Sequence, residues 1–521
     1  MTHNLKPSLT SWAIPVQLSP PSLNNNTADT DRLVAHLCNL LDTRYVHVDL
    51  DVVKDLPRLL RENDYHVQCI LFKQAGTWLL SGITPANDSL PAIGLAVDLG
   101  TTRVVMRLID LVSHDVLMES AFDNPQIAIG PDILSRIHYT ADPAGLDHLQ
   151  RLIVDGFNEK INALCDACSL TPEDIYLVTV AGNTAMTHLF LGVDPRHIIR
   201  EPYIPAINKP ETVKATSLGL QINPWGHVYI FPNIGSYFGG DLISGILYSG
   251  MNHHEGTSIL VDVGTNAEVV LGNRNWLIAC AGAAGPALEG GVTKMGMMAG
   301  PGVIDKVTID PVSYEFDVHT IEEKPAIGIC GSGLIDLVSF LFLAGFVDVR
   351  GKFVPDVCGS RLVEEEGILC LVIVPSAASG NGRDIILSQV DLDLFVSSKA
   401  AMYTILNTIT NTVGTAFNEL ERFYVAGTFG SFINPRSAID IGMIPDLPLD
   451  TYQVLGNSSL GGAALLLTSP GKMDEINQIR DSITYLELNV NQDFMIKFSG
   501  AKFFPNTEAS LFPSVKTWQH R

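Results

Sequence analysis

Leucines 33, 37 and 40 recur at helical spacing, which predicts a helix over 31–41, and the alternation in Val46-His-Val-Asp-Leu predicts a strand after it. A second short helix is expected over 55–62. Apolar runs at 67–72 and 76–81 read as a hairpin. Together they predict a small α/β module over 31–88, closing in a linker at Pro85-Ala-Asn-Asp-Ser. Upstream, residues 1–30 are rich in Ser, Pro and Asn (Ser19-Pro-Pro-Ser-Leu, Asn24-Asn-Asn-Thr) and read as an extended arm. From Ile93 the pattern changes to strands at 93–97, 104–109, 175–180, 227–231, 258–261, 267–271 and 422–425. Helical patterns at 133–139, 146–167, 333–346, 392–421 and 461–467 separate them.

Two of these strands share a grammar. Gly94-Leu-Ala-Val-Asp98-Leu-Gly100-Thr101-Thr102 and Ser258-Ile-Leu-Val-Asp262-Val-Gly264-Thr265-Asn266 each run from an apolar strand through Asp, one residue, Gly and Thr into a second strand. The repeat predicts two similarly folded halves facing each other. One such turn is ordinary, because hairpins favour Gly and Asp. Two, each with strands on both sides, point to phosphate: a tight Gly turn presents backbone N–H groups around a concavity without a Cβ in the way. Thr101, Thr102, Thr265 and Asn266 add side-chain donors, and the Asp98 and Asp262 carboxylates would hold Mg²⁺, directly or through water. Neither G-x-x-x-x-G-K-[ST] nor a G-x-G-x-x-G running from strand to helix is present, which disfavours P-loop and Rossmann readings. Gly328-Ile-Cys-Gly331-Ser332-Gly333 precedes a helix; its amides would meet a phosphate or ribose, or Ser332 would cap that helix. Tyr424-Val-Ala-Gly427-Thr428-Phe-Gly430 is a strand entering a glycine turn, against which a flat base could lie.

Composition narrows the partners. Of 521 residues 46% are hydrophobic and 17% charged, which suits a large buried core and excludes a disordered chain. The net charge of −23 argues against nucleic acid and is neutral towards nucleotides, which bind through local donors and a metal. Eight cysteines are too sparse for a disulfide scaffold. The N-terminus lacks a secretory pattern, and the longest apolar run, 333–349, is broken by Asp336 and Ser339, so no membrane segment is expected. A cytoplasmic protein is the expectation.

The two phosphate turns, the later glycine turn and the Gly456-Asn457-Ser-Ser-Leu-Gly-Gly462-Ala-Ala helix resemble the acetate/sugar kinase, chaperone and actin ATPase (ASKHA) superfamily. More narrowly, five strings resemble the ATP-dependent reductive activators of corrinoid proteins. They are Asn124-Pro-Gln with Ser135-Arg136-Ile, Ala181-Gly182-Asn183-Thr184-Ala-Met-Thr-His188-Leu, Ala284-Gly-Pro-Ala-Leu-Glu289-Gly-Gly, Gly328-Ile-Cys-Gly-Ser-Gly-Leu-Ile-Asp336 and Gly442-Met-Ile-Pro-Asp446-Leu-Pro. The resemblance covers roughly residues 19–505. It implies an α/β protein with the two-lobed, ribonuclease H-like ASKHA ATPase fold behind the small module. Lobe 1 would span 89–255 and lobe 2 256–470, with 471–521 packing back on the core. It implies ATP use coupled to reduction of Co(II) to Co(I) in a partner corrinoid protein, and a homodimer, which the low charge content also suits. Co(I) is a strong reductant, and each ~59 mV of one-electron shortfall costs a factor of ten in the equilibrium.

Family members typically begin with a ferredoxin-like [2Fe–2S] domain. Here Cys38, Cys69, Cys280, Cys330, Cys358 and Cys370 are isolated, and Cys165-Asp-Ala-Cys168 lies at a helix end where both thiols are expected to face the core. No iron–sulfur cluster is therefore expected, and a separate ferredoxin or flavodoxin would supply electrons. On this reading Asp98, Gly100, Thr101 and Thr102 hold the β- and γ-phosphates, opposite Asp262, Gly264, Thr265 and Asn266. Gly331 and Ser332 contribute, and Gly427, Thr428 and Gly430 take the adenosine. Asp241 and Glu268 are candidates for orienting the attacking water, or are solvated or capping carboxylates. Asn183 is expected to be a cap or inter-lobe contact, His188 to be packed inside the helix layer, and His253-His254 to lie on the surface. The glycine-rich, apolar stretch 281–301 suits a partner or cofactor face, or a buried inter-lobe loop. A small-molecule kinase and a nucleotide-dependent scaffold remain the alternatives, with a dehydratase-type activator further behind.

Overall fold

Within the stretch expected to be an arm, Ala13–Gln17 is a strand. It pairs antiparallel with His66–Gln74 at the edge of a four-stranded sheet, continued by Thr77–Pro85 and Val46–Val48. Ala13, Ile14 and Val16 are buried while Pro15 is exposed, and an edge strand is where a sheet tolerates proline. The small module therefore starts well before residue 31. Its two helices, Asp29–Leu41 and Leu50–Glu62, bury Leu33, Leu37, Val52, Leu56 and Leu60 in one core with that sheet.

The computed structural model describes residues 9–86, 91–264, 267–282, 293–427, 433–486 and 492–518. They divide into two compact units, Met1–Tyr248 with Ser458–Asp481, and Ser249–Asn457 with Ser482–Arg521. Among the described residues no helix is long and apolar enough to cross a membrane.

Besides the small sheet, the first unit has a six-stranded sheet in the order Val116–Asp123, Arg103–Asp110, Ile93–Leu99, Ile175–Gly182, His227–Ile230, Val213–Lys214. Ile93–Leu99 and Arg103–Asp110 form the antiparallel hairpin of the first Asp-Gly turn, and Ile175–Gly182 pairs parallel on its other side. The long helix Pro143–Cys168 is Asp142-capped and buries Leu149, Ile153, Phe157, Ile161 and Leu164. The helix Ser458–Thr468, expected in the second lobe, belongs to this unit. Thr179 Oγ1 donates to Ala463 O at 2.9 Å, and Trp12 Nε1 to Leu466 O at 2.6 Å. Glycines explain the close fit: a Cβ on Gly462 would lie 2.1 Å from the Ser244 carbonyl oxygen, so only glycine lets this helix cross Gly240–Ser249 there.

The second unit repeats the plan. Its main sheet runs Tyr452–Gly456, Arg422–Ala426, Ser258–Val263, Ala267–Asn273, Trp276–Gly282, Ile483–Tyr485. Ser258–Val263 again has its antiparallel hairpin mate on one side and a parallel strand, Arg422–Ala426, on the other. Two three-stranded sheets are added: Phe316–Thr320, Val303–Ile309, Gly328–Ile329, and Leu362–Glu365, Ile368–Val374, Ile385–Ser388. The helix expected over 392–421 is Gln389–Thr412. It opens on a Ser388/Asp391 capping box and stops before Gly414, whose φ of 70° breaks it. Wholly buried Lys399 on this helix donates to the Phe503 and Pro505 carbonyls, both at 2.7 Å, and so fastens the C-terminal segment to it.

Candidate phosphate site

In the first unit, Asp98 is the penultimate residue of Ile93–Leu99, and Gly100-Thr101-Thr102 make the turn to Arg103. A Cβ on Gly100 would sit 2.3 Å from the Arg103 carbonyl oxygen, so the turn requires glycine. Buried Asn124 holds its carbonyls: Nδ2 donates to Gly100 O at 3.0 Å, and its backbone N–H donates to Thr102 O at 2.8 Å. Fixing carbonyl oxygens on the protein side is what an anion-binding turn needs, because the amides then serve the ligand. Asn183 caps the helix Thr184–Leu191 through Met186 N–H, and its Nδ2 donates to Thr101 Oγ1 at 3.0 Å. It is thus the expected cap and also a contact to the turn.

Two groups flank the Asp98 carboxylate. Ser459, at the start of Ser458–Thr468, donates its hydroxyl to Asp98 Oδ1 at 2.8 Å. Asp241 lies in the first turn of Gly240–Ser249 and accepts the Leu242 N–H at 2.8 Å. Burial pushes its carboxyl up to about 7, and the negative charge of Asp98 adds to the rise. Such a carboxyl exchanges a proton near neutrality, as a base for water requires. Gly239 makes this possible: a Cβ there would lie 2.4 Å from both Asn183 Cα and Asp241 Oδ1.

In the second unit, Asp262 stands opposite Glu268 in the antiparallel register and beside Ala426 in the parallel one. Cross-strand partners share a face of the sheet, so Asp262 and Glu268 are neighbours on one face. Gly427 follows directly with φ at 87°, and a Cβ on it would come within 2.7 Å of Asp262 Oδ1. Asp262, Glu268 and Gly427 are therefore brought together. Gly264 is described, whereas Thr265, Asn266, Thr428 and Gly430 lie outside the described residues, as do residues 283–292 of the 281–301 stretch.

Gly331 and Ser332 are buried in the first turn of Gly331–Leu343, which packs on Val303–Ile309. The cap position is Cys330, not Ser332, whose hydroxyl donates to Asp305 O at 3.2 Å. Gly333 serves the same packing: a Cβ there would meet Ile304 O at 2.5 Å. His188 is wholly buried, Nδ1 bonded to Thr184 O and Nε2 accepting from Ala206 and Ile207 N–H, and burial lowers its pKa. Cys165 is buried, its thiol pushed up to about 11 by burial, while Cys168 is only partly buried. All eight cysteines are free. Among the described residues no three His, Cys, Asp or Glu side chains gather as a metal-binding group. A strand-end carboxylate beside threonine hydroxyls is still a hard-oxygen set of the kind Mg²⁺ shares with nucleotide phosphates, using only one or two protein carboxylates.

Comparison with known proteins decides the lineage. Residues 4–89 match the model of the RACo linker region, 93–254 the RACo middle region, and 256–516 the C-terminal domain of RACo, the ASKHA domain. The chain belongs to the RACo family. It is 31% identical over 472 residues to the corrinoid activation enzyme RamQ of Eubacterium limosum, covering 86% of this chain and 78% of that one. It is 23% identical over 427 residues to a [Co(II) methylated amine-specific corrinoid protein] reductase of Methanosarcina barkeri, covering 75% and 73%. A solved structure, a reductive activator for corrinoid, iron–sulfur protein, superposes with a TM-score of 0.87 at 38% identity, over 99% of this chain and 82% of that one. The ASKHA fold expected from the two Asp-Gly turns is thereby established for this RACo chain. Ser459 and Asn124 are contacts to Asp98 and Gly100 that sequence reading did not assign, although both sit in strings that carried the resemblance.

Proposed function

We propose that this chain is an ATP-dependent reductive activator of a corrinoid protein of a methyl-transfer system. One electron from a low-potential donor returns Co(II) in the partner to Co(I), while water attacks the γ-phosphorus of ATP to give ADP and phosphate. The observation carrying this reading is the pair of Asp-Gly turns at equivalent stations of two sheets that share a five-strand order, in a chain matched along its length to corrinoid activators.

On this reading Gly100, Thr101 and Thr102 hold phosphate in the first unit and Gly264, Thr265 and Asn266 in the second. Gly331 and Ser332 contribute through their backbone, and Gly427, Thr428 and Gly430 receive the adenosine. Asp98 and Asp262 are the carboxylates assigned to Mg²⁺, which supplies charge neutralisation of the phosphates. Ser459 orients Asp98, and Asp241 or Glu268 takes the proton of the attacking water. We assign the electron to a separate ferredoxin or flavodoxin. Free thiols throughout fit a reducing cytoplasm, and a homodimer is the proposed assembly. ATP coupling requires that the ATP and ADP states differ in affinity for the partner. Pull-down of the cognate corrinoid protein with ATP and with ADP tests this: the reading expects different affinities, and equal ones would remove the coupling.

A further inference from the structure

Arg136 lies in the helix Ile133–Tyr139 and is wholly buried. Its hydrogen-bond partners among the described residues are all uncharged, and the Asp132 carboxylate at the cap of the same helix acts on it only through space. Nε donates to Gly130 O at 2.8 Å, and Nη1 to Gln126 Oε1 at 3.3 Å and to Met186 Sδ at 3.4 Å. Nη2 is buried and has no hydrogen-bond partner among the described residues. Burial lowers the pKa only to about 10, so the guanidinium stays charged at neutral pH. A buried cation with no carboxylate in contact is costly, and a structural role alone would be served better by an ion pair.

Its position suggests what offsets the cost. Met186 Sδ, which receives Arg136 Nη1, is also 4.0 Å from Asn124 Nδ2, and that same amide donates to Gly100 O. Gln126 closes the group from the other side, its backbone N–H donating to Asn124 Oδ1 at 3.0 Å. The guanidinium is therefore linked to the first phosphate turn through Met186 and Asn124. The Gly100 carbonyl shares a peptide with the Thr101 N–H, so a donor on that carbonyl strengthens Thr101 as a donor.

We propose that Arg136 is a positioning residue for phosphate: a buried cation, linked to Gly100-Thr101-Thr102 through Met186 and Asn124, whose charge is balanced when the turn holds an anion. The inference rests on the phosphate-binding reading of that turn and adds a charged group no ligand touches. It predicts an effect that grows with ligand charge, which a purely structural arginine would not give.

The test is calorimetric binding of adenosine, ADP and ATP at fixed Mg²⁺ and ionic strength to the wild type, Arg136→Met, Arg136→Lys and Gln126→Glu. Arg136→Met should weaken ATP by roughly three- to tenfold, ADP by less, and leave adenosine nearly unchanged, as expected for a charge several ångströms away. Lysine should restore most of the ATP preference. Gln126→Glu should lower it as Met does, because the new carboxylate neutralises the guanidinium, although it gives up the Gln126 Nε2 bond to Leu149 O at 2.8 Å. Equal losses for all three ligands, or an unchanged ATP-to-adenosine ratio in Gln126→Glu, would overturn the inference. If Arg136→Met does not fold, the Lys and Glu variants decide alone. If the wild type binds ATP no better than adenosine, the phosphate reading itself falls and takes this inference with it.

Discussion

Gly427 and Asp262 show how tightly single residues constrain this site. The glycine has a left-handed backbone, and a Cβ on it would press on the carboxylate. Gly427→Ala should therefore displace Asp262, weaken nucleotide binding by about fivefold or more, and cost ~1–2 kcal/mol of stability from the φ penalty alone. Calorimetric titration and urea melts check both numbers. Asp241 makes a different demand. If its carboxyl takes the proton from the attacking water, Asp241→Asn should lower kcat for ATP hydrolysis by about a hundredfold and leave the ATP Kd within about twofold. A variant with unchanged kcat would move the role to Glu268. The Asp98–Ser459 bond belongs to this scale too, and no local pattern announces it, because its partners are far apart in the chain.

Between elements, the helix Thr184–Leu191 ties the Thr101 turn to the loop at Ala206-Ile207, through Asn183 at its cap and His188 in its body. Asn183→Ala should cost ~1 kcal/mol as a lost cap and also weaken ATP binding, whereas loss of stability alone would show the Thr101 contact to be incidental. A second junction responds to pH. His227, on the strand His227–Ile230, is buried with Nδ1 3.0 Å from Ser81 Oγ of the small sheet, and burial lowers its pKa from 6.5 to about 4. Between those values the unfolded chain binds more protons than the folded one. Stability is full above about pH 6.5 and falls as the pH drops towards 4, by at most ~3 kcal/mol. Urea midpoints at pH 7.5, 6 and 5 should show this fall in the wild type and a flatter profile in His227→Gln.

Hairpin strands and both Asp-Gly turns were legible in the sequence because alternation and turn chemistry are local. Strand Ala13–Gln17 was not: its proline and polar surroundings hide it, and only pairing with His66–Gln74 makes it a strand. The placement of Ser458–Thr468 was illegible for a related reason. Its Gly461-Gly462 pair signals a close crossing, but nothing local says that the neighbour is Gly240–Ser249. Ser332 misled because a serine before an apolar run resembles a cap, while its hydroxyl is already committed to Asp305.

At the scale of the whole molecule, the second unit repeats five strands of the first unit's sheet order and adds two small sheets, so the inheritance is an ASKHA core with insertions. That architecture supplies a nucleotide-driven element, and the corrinoid activators it resembles supply the reading of what is driven. The central claim is that ATP use by this chain makes corrinoid reduction possible. The most direct measurement is an anaerobic absorbance titration of the cognate corrinoid protein with this protein, a reduced ferredoxin or flavodoxin, and Mg-ATP present or absent. The account predicts growth of the Co(I) band only when ATP and this chain are both present, and its loss with Asp98→Asn. A Co(I) band that grows equally without ATP, or none despite demonstrated ATP binding and complex formation, would contradict it.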